Sequence, residues 1–336
     1  MNSRKKIGMI FPGQGSQFLG MCKNLYDQER IIQELFEEAS TCLNKNFVRL
    51  CFASSEKELR EVKNTQTSIF LVSAAITALL KEKYGIVADL VAGHSLGEYT
   101  AIHAAGGMNF ADTLYLLNKR SQMMEEAIKN QNGGLLAVVG FDSDKLKLIC
   151  EQYDKPGLEQ VAEIANHNSP TQVVVSGTKP ELEKIKDNLK ILGGKSIMLN
   201  VEGAFHSRLM ENAEKSFSAY LLKVDFNPLE MPLSNNIEGK LVWSPKSIQD
   251  SLVKQTSSHI YWWKAMQHFE KMDIILEIGP GTKFSKMLKR EWPEKTILSI
   301  NEQEDINELL NLLDRKIPII DKEECDGKKN EESLQL

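Results

Sequence analysis

Apolar and polar positions along this chain fall into blocks whose period changes. Residues 7–11 form a short apolar run closed by Pro12 and Gly13, which predicts a buried strand and a glycine-rich turn. Over residues 29–42, Ile31, Ile32, Leu35, Phe36 and Ala39 recur at helical spacing and predict an amphipathic helix; residues 55–62 predict a second, charged one. Thr65-Gln66-Thr67 reads as the cap of a helix over 68–84 that is apolar nearly all round, the pattern of a buried helix. An apolar strand is expected over 86–92. It runs into Gly93-His94-Ser95-Leu96-Gly97, and helix formers follow over 98–105. A long helix is expected over 111–129.

From 135 to 200 the character changes. Strand 135–139, helix 143–152, strands 161–166 and 172–176 around Asn168-Ser169-Pro170, helix 179–192 and strand 195–201 give the order βαββαβ of a ferredoxin-like unit. Beyond it, a helix is expected over 209–222, and Gln255-Thr256-Ser257 opens another near Trp263. A strand over 273–278 ends in Gly279-Pro280-Gly281, a helix runs on through Arg290, and strand 296–300 precedes a helix over 306–313. The expected fold class is α/β. An α/β hydrolase-like large subdomain with a parallel central sheet comes from 1–130 and 203–318, and a ferredoxin-like small subdomain, 131–202, is inserted in it. From Asp321 the chain is polar and charged with few apolar residues, and a disordered tail is expected over 319–336.

Composition narrows this picture only a little. The 336 residues carry a net charge of −5, with 42% hydrophobic and 26% charged residues, as in a soluble globular protein and unlike a general nucleic-acid binder. The five cysteines are scattered without a C-x-x-C pair, which argues against a disulfide framework or a zinc site and fits a reducing cytoplasm. Pro12 and Gly13 interrupt the first apolar run too early for a secretory leader, and the stretch over 69–80 is too short to span a bilayer.

The chemistry begins at Ser95. Strand, Gly-x-Ser-x-Gly, helix is the setting of a nucleophile elbow, in which the glycines permit a tight turn and the serine hydroxyl stands clear of the sheet. The Leu96 backbone N–H then lies at a helix start, where it can face a developing negative charge. Gln14, in the turn after the first strand, fits either an ordinary βα turn or a second oxyanion donor. Gln66 fits a capping residue or a site wall. Arg120, on a mostly apolar helix, fits a snorkelling or ion-paired residue, or a bidentate clamp for an anion. Of six histidines, His206 suits the base best: Gly203 and Ala204 precede it at a strand end, and the order serine then histidine fits a hydrolase-like layout. No acidic third member is evident, so a backbone carbonyl could orient the imidazole and make a dyad.

Read together, Phe11-Pro12-Gly13-Gln14-Gly15-Ser16-Gln17, Gly93-His94-Ser95-Leu96-Gly97-Glu98-Tyr99, Arg120, Asn168-Ser169-Pro170, Ala204-Phe205-His206-Ser207, Gln255-Thr256-Ser257 and Glu277-Ile278-Gly279-Pro280-Gly281 resemble the malonyl-CoA:acyl carrier protein transacylases, in family order over residues 7–300. The resemblance implies that Ser95 is acylated, that His206 is its base, and that the Gln255 backbone carbonyl orients that base. It implies an oxyanion hole from the N–H groups of Gln14 and Leu96, and a malonyl carboxylate on Arg120. Gln66, Met124 and Asn168 would line the acyl pocket, Lys195 would meet coenzyme A phosphates, and Phe205 would narrow the space beside the α-carbon. Malonyl-CoA and a phosphopantetheinylated acyl carrier protein are the implied partners, in fatty acid or polyketide synthesis, with no metal, other cofactor, nucleic acid or membrane. Ser121 stands where the family commonly has glycine, and His259 where it often has proline. A thioester hydrolase of the same fold, editing stalled chains, is the rival enzyme, but its members lack the arginine. A silent docking protein would not need Ser95, His206 and Gln14 together.

Overall fold

A computed structural model describes residues 4–315, apart from Asn130, Pro156, Leu158 and Glu202. Ten strands form two sheets: β1 (Ile7–Phe11), β2 (Leu90–Gly93), β3 (Gly133–Val139), β4 (Ala162–Ser169), β5 (Gln172–Thr178), β6 (Lys195–Met198), β7 (Leu233–Ser234), β8 (Leu241–Val242), β9 (Ile274–Ile278) and β10 (Thr296–Ile300). The fold is α/β, with a mainly parallel sheet and a second, antiparallel one.

The larger sheet has the order β10-β9-β1-β2-β7-β8, parallel except for the edge pair β7–β8. Every residue of β1, β2 and β9 is buried, which is why they read as unbroken apolar runs: helices cover both faces of a parallel sheet. The helix Val62–Tyr84 fills one side, buried almost continuously from Asn64 to Ile76. Each of its fully buried leucine, isoleucine and phenylalanine side chains contributes about 1.5–3 kcal/mol of transfer free energy. Connections leave β1 and β9 in opposite directions, so their carboxyl ends open a crevice where such sheets bind ligands.

The smaller sheet has the order β4-β5-β3-β6, all antiparallel. Helices Ser143–Tyr153 and Lys179–Ile191 cover one face through Leu146, Ile149, Leu182 and Ile185. Its other face sends Leu135, Ala165 and Val174 into a cluster with Met124, Phe205 and Met210 of the larger part. Burial on both sides joins the two sheets into one cleft wall.

Several expectations need correcting. Thr65, Gln66 and Thr67 lie inside the helix that begins at Val62, not at its cap: Thr65 Oγ1 donates back to Leu59 O at 2.6 Å and Thr67 Oγ1 to Lys63 O at 3.1 Å. Thr67 thus bonds back one turn within its own helix, and Thr65 reaches the preceding helix Glu56–Arg60, so both hydroxyls are satisfied without capping. The strand expected over 86–92 orders only as β2, because Gly85 (φ 61) ends the helix and 86–89 form the connection. Gln255 does not open a helix; it closes the helix Pro245–Gln255. The sequence signal for that helix was present in Ser244, whose side chain accepts from Ser247 N, followed by proline at the first position. Asn168 and Ser169 continue β4. The tail expected over 319–336 lies outside the described residues.

Candidate active site

Ser95 follows β2 with φ 53 and ψ −108, in the region that favours glycine, and begins the helix Leu96–Ala104. Two glycines make that turn possible. A Cβ on Gly93 would fall 1.9 Å from the Gly97 carbonyl carbon, and one on Gly97 would fall 2.3 Å from Phe11 O. The elbow therefore presses directly on the end of β1. Gly13 is equally close, since a Cβ there would lie 2.6 Å from His94 O. The loop carrying Gln14 is thus held against the Ser95 turn by main-chain contact that only glycine allows. Among the described residues, neither the Gln14 nor the Leu96 backbone N–H is donated to a protein acceptor. Two unspent donors beside Ser95 suit an oxyanion.

Arg120 comes from the helix Phe110–Ile128 and is 1% exposed. Its Nη1 donates to Gln66 Oε1 at 2.8 Å; Nη2 donates to Ser95 Oγ at 3.0 Å and to Gln255 Oε1 at 3.1 Å. The guanidinium carbon lies 5.5 Å from the Tyr99 ring centroid. Among the described residues it makes no ion pair, and its Nε has no partner. A buried cation without a contacting carboxylate is costly, and an anion that entered would be bound strongly.

His206 is 6% exposed and has φ 61, a second strained residue at the site. Its Nδ1 lies 2.9 Å from Gln255 O. A carbonyl only accepts, so Nδ1 carries the proton and Nε2 is left with its lone pair. Burial, with the Arg120 charge second, pushes the imidazole down to about 3, so it is neutral at physiological pH. Ser95 Oγ makes its hydrogen bond to Arg120 rather than to His206. Gln255 links the two: its backbone meets His206, and its side chain donates to Ser95 O at 2.9 Å.

The remaining expected residues divide. Gln66 Nε2 lies 3.3 Å from Met124 Sδ, and Met124 packs in one cluster with Phe205, so these three line a common wall with Arg120. Asn168 is buried, and its Oδ1 meets His94 Nε2 at 3.1 Å, which ties the small sheet to the elbow. His94 itself packs against Trp262 and Phe284. Lys195 is exposed on the edge strand β6 and makes none of the contacts that join the others. His259 stacks on Tyr261 at 4.1 Å, in a segment that bonds to β4 through Ile260.

Two residues were missed. Glu98, fully buried, accepts from Asn236 N at 2.9 Å and from Gln255 Nε2. Asn236 Oδ1 accepts the Ser95 N–H at 2.8 Å. Glu98 had a signal, an acidic residue in a helix with no polar face; Asn236 had none, since only the fold brings it beside residue 95.

The family model described as an acyl transferase domain matches residues 9–284. The malonyl CoA-acyl carrier protein transacylase of Bacillus subtilis is 34% identical over 304 residues, 90% of this chain and 95% of that one. The chain belongs to the malonyl-CoA:acyl carrier protein transacylases. The Staphylococcus aureus (strain MRSA252) relative of the same name is 33% identical over 90% of this transacylase and 97% of its own length. Among solved structures, FabD from Acinetobacter baumannii superposes with a TM-score of 0.88 at 29% identity, covering 93% of this transacylase and 99% of that chain. A malonyl-transacylase solved in complex with a type II polyketide synthase acyl carrier protein superposes with a TM-score of 0.87 at 30% identity, covering 91% and 99%.

Proposed function

We propose that this chain moves a malonyl group from malonyl-CoA to the phosphopantetheine thiol of an acyl carrier protein, through an acyl-enzyme on Ser95. The observation that carries the reading is Arg120, a buried guanidinium whose Nη2 lies 3.0 Å from Ser95 Oγ and which, among the described residues, has no carboxylate in contact. The free carboxylate of malonyl supplies the missing anion. Acetyl has none, and a site built around a charge penalises its absence.

In the first half-reaction Ser95 Oγ bonds to the thioester carbonyl carbon and its proton passes to His206 Nε2. The carbonyl oxygen becomes an oxyanion facing the Gln14 and Leu96 N–H groups. The carbon–sulfur bond then breaks and the coenzyme A thiol takes the proton from His206. In the second, the carrier's thiol gives its proton to His206 and attacks the serine ester, and Ser95 recovers the proton. The scheme balances without a metal or a redox cofactor. A carboxylate on Arg120 also removes the positive field that depresses His206, so binding the correct substrate strengthens the base.

Gln66, Met124, Phe205 and Asn168 form the acyl wall in this reading, supported by their contacts with Arg120 and His94. Lys195, being exposed, suits a phosphate further out. The small sheet's strand order supports the ferredoxin-like description, and the five parallel strands with the Ser95 elbow support the hydrolase-like one. Scattered free cysteines support a cytoplasmic setting. Fatty acid and polyketide synthesis both fit.

Malonyl-CoA is expected to leave a malonyl mass on Ser95 that a carrier protein then removes. Intact-mass spectra without an adduct, or with one that survives Ser95→Ala, would sink the reading.

A further inference from the structure

We infer that Glu98 is a positioning residue of this site: its ionised carboxylate sets the main chain of Ser95 and the amide orientation of Gln255. The inference rests on the malonyl-transfer reading above. Glu98 lies one turn into the helix Leu96–Ala104 and is fully buried. Its Oε1 accepts Asn236 N–H at 2.9 Å, and its Oε2 accepts from Gln255 Nε2. Asn236 accepts the Ser95 N–H on Oδ1 at 2.8 Å and donates Nδ2 to Gly93 O at 2.7 Å. Gln255 donates Nε2 to Ser95 O at 2.9 Å. The strained residue is therefore held at its N–H and at its C=O by two partners that share one carboxylate.

Donor and acceptor chemistry makes the charge matter. An ionised carboxylate only accepts, so the end of the Gln255 amide that faces it must be Nε2. The other end, Oε1, then faces Arg120 Nη2 at 3.1 Å, and a guanidinium only donates. The backbone carbonyl of the same Gln255 holds His206 Nδ1. A protonated Glu98 would set an O–H among N–H donors. Arg120 and the Ser95 carbonyl keep the Gln255 amide from turning over, so the O–H instead weakens one of the two N–H contacts, to Gln255 Nε2 or to Asn236 N. Either way the hold on the Ser95 main chain would loosen.

The charged and titratable groups around this carboxyl are Arg120, Tyr99 and His206. Burial lifts Glu98 to about 7, against the pull of the Asn236 N–H, Gln255 and Arg120. Burial also keeps the Tyr99 phenol protonated, and His206 titrates far lower, at about 3. With acetyl-CoA, which has no carboxylate to relieve the Arg120 field on His206, a rise in acylation rate near neutral pH therefore belongs to Glu98.

The test is single-turnover acylation by malonyl-CoA across pH, read by intact mass on the full chain. Wild type that forms no adduct overturns the malonyl reading and this inference with it. Wild type that forms one isolates Glu98. The expected rate rises with pH through neutrality. Glu98→Gln keeps the size but adds an amide donor opposite Gln255; it is expected to be slower by roughly 10²-fold at neutral pH and to lose that rise. Glu98→Asp keeps the charge and is expected to retain the rise with part of the rate, which a merely structural role would not produce. A flat wild-type profile, a Glu98→Gln profile with the wild-type rate or the wild-type rise, or a folded Glu98→Asp without the rise overturns the inference. Should neither variant fold, wild-type profiles with malonyl-CoA and acetyl-CoA decide it: a rise with both supports Glu98, and a rise confined to malonyl-CoA, which alone relieves His206, overturns it.

Discussion

At the scale of single residues, the proposed mechanism gives Arg120 both selectivity and part of catalysis. Its Nη2 holds the Ser95 hydroxyl while its charge depresses His206, and one substrate carboxylate relieves both. Arg120→Ala is therefore expected to lower the preference for malonyl-CoA over acetyl-CoA by roughly 10³-fold, measured as the ratio of acylation rates. A ratio equal to that of wild type would remove the carboxylate from Arg120. Ser95 and Arg120 were readable because their setting is local: a strand, two glycines and a helix around one, an apolar helix around the other. The partners of Arg120 were not. Gln66 and Gln255 are 54 and 135 positions away, and only packing shows that their carboxamides meet the guanidinium.

At the scale of elements, the elbow works because β1 and β2 bring their loops within backbone contact. The elbow's glycines are demanded by that contact, not by flexibility. Gly97 shows this, with Phe11 O 2.3 Å and Pro12 O 2.8 Å from a would-be Cβ, both main-chain atoms of the central strand and its turn. Gly97→Ala is expected to cost about 3 kcal/mol, seen as a lower midpoint in urea unfolding. An unchanged midpoint would show that the loop yields. Helices with amphipathic or wholly apolar patterns were legible, as were the parallel strands, whose burial on both faces leaves continuous apolar runs. The helix Pro245–Gln255 was not recognised, and Gln255 was set in the wrong element, because its apolar positions Ile248 and Leu252 are few and its cap was overlooked. The entry to the helix Val62–Tyr84 lies earlier than the hydroxyl residues suggest, because such residues favour caps in general, while here Thr67 bonds back to the preceding turn and Thr65 to the preceding helix.

At the scale of the molecule, burial of ionisable groups ties stability to pH. His94 and His206 are pushed from 6.5 to about 3, and His259 to about 4, chiefly by burial. Between those values and 6.5 the unfolded chain binds protons that the folded chain refuses, so stability falls as pH falls through this window. Glu98 acts in the opposite sense. Raised from 4.5 to about 7 by burial, it gives the folded chain an extra proton in that interval and loses stability as pH rises through it. Burial lowers His103 and His167 as well and raises Glu277 as it does Glu98, so five histidines oppose two carboxyls, and below 4.5 Glu98 no longer compensates. The melting temperature is expected to decline from pH 6.5 downward and to steepen below 4.5, followed by circular dichroism. A melting temperature that holds or rises between pH 6.5 and 4 would contradict these buried neutral imidazoles.

By itself the amino-acid sequence determined whatever depends on neighbours along the chain. Apolar period set most helices and strands, glycine and proline marked the turns, and Gly-x-Ser-x-Gly between a strand and a helix marked the sharp turn at Ser95. Tertiary structure alone decided which distant polar groups share a buried space. It brought residues 66, 95, 98, 120, 206, 236 and 255 into one hydrogen-bonded group, left Lys195 outside it, and turned the Ser95 hydroxyl toward Arg120. The physical reason is that a buried hydrogen bond depends on distance and direction in space, and those depend on how two sheets and their helices pack, which no spacing along the chain records.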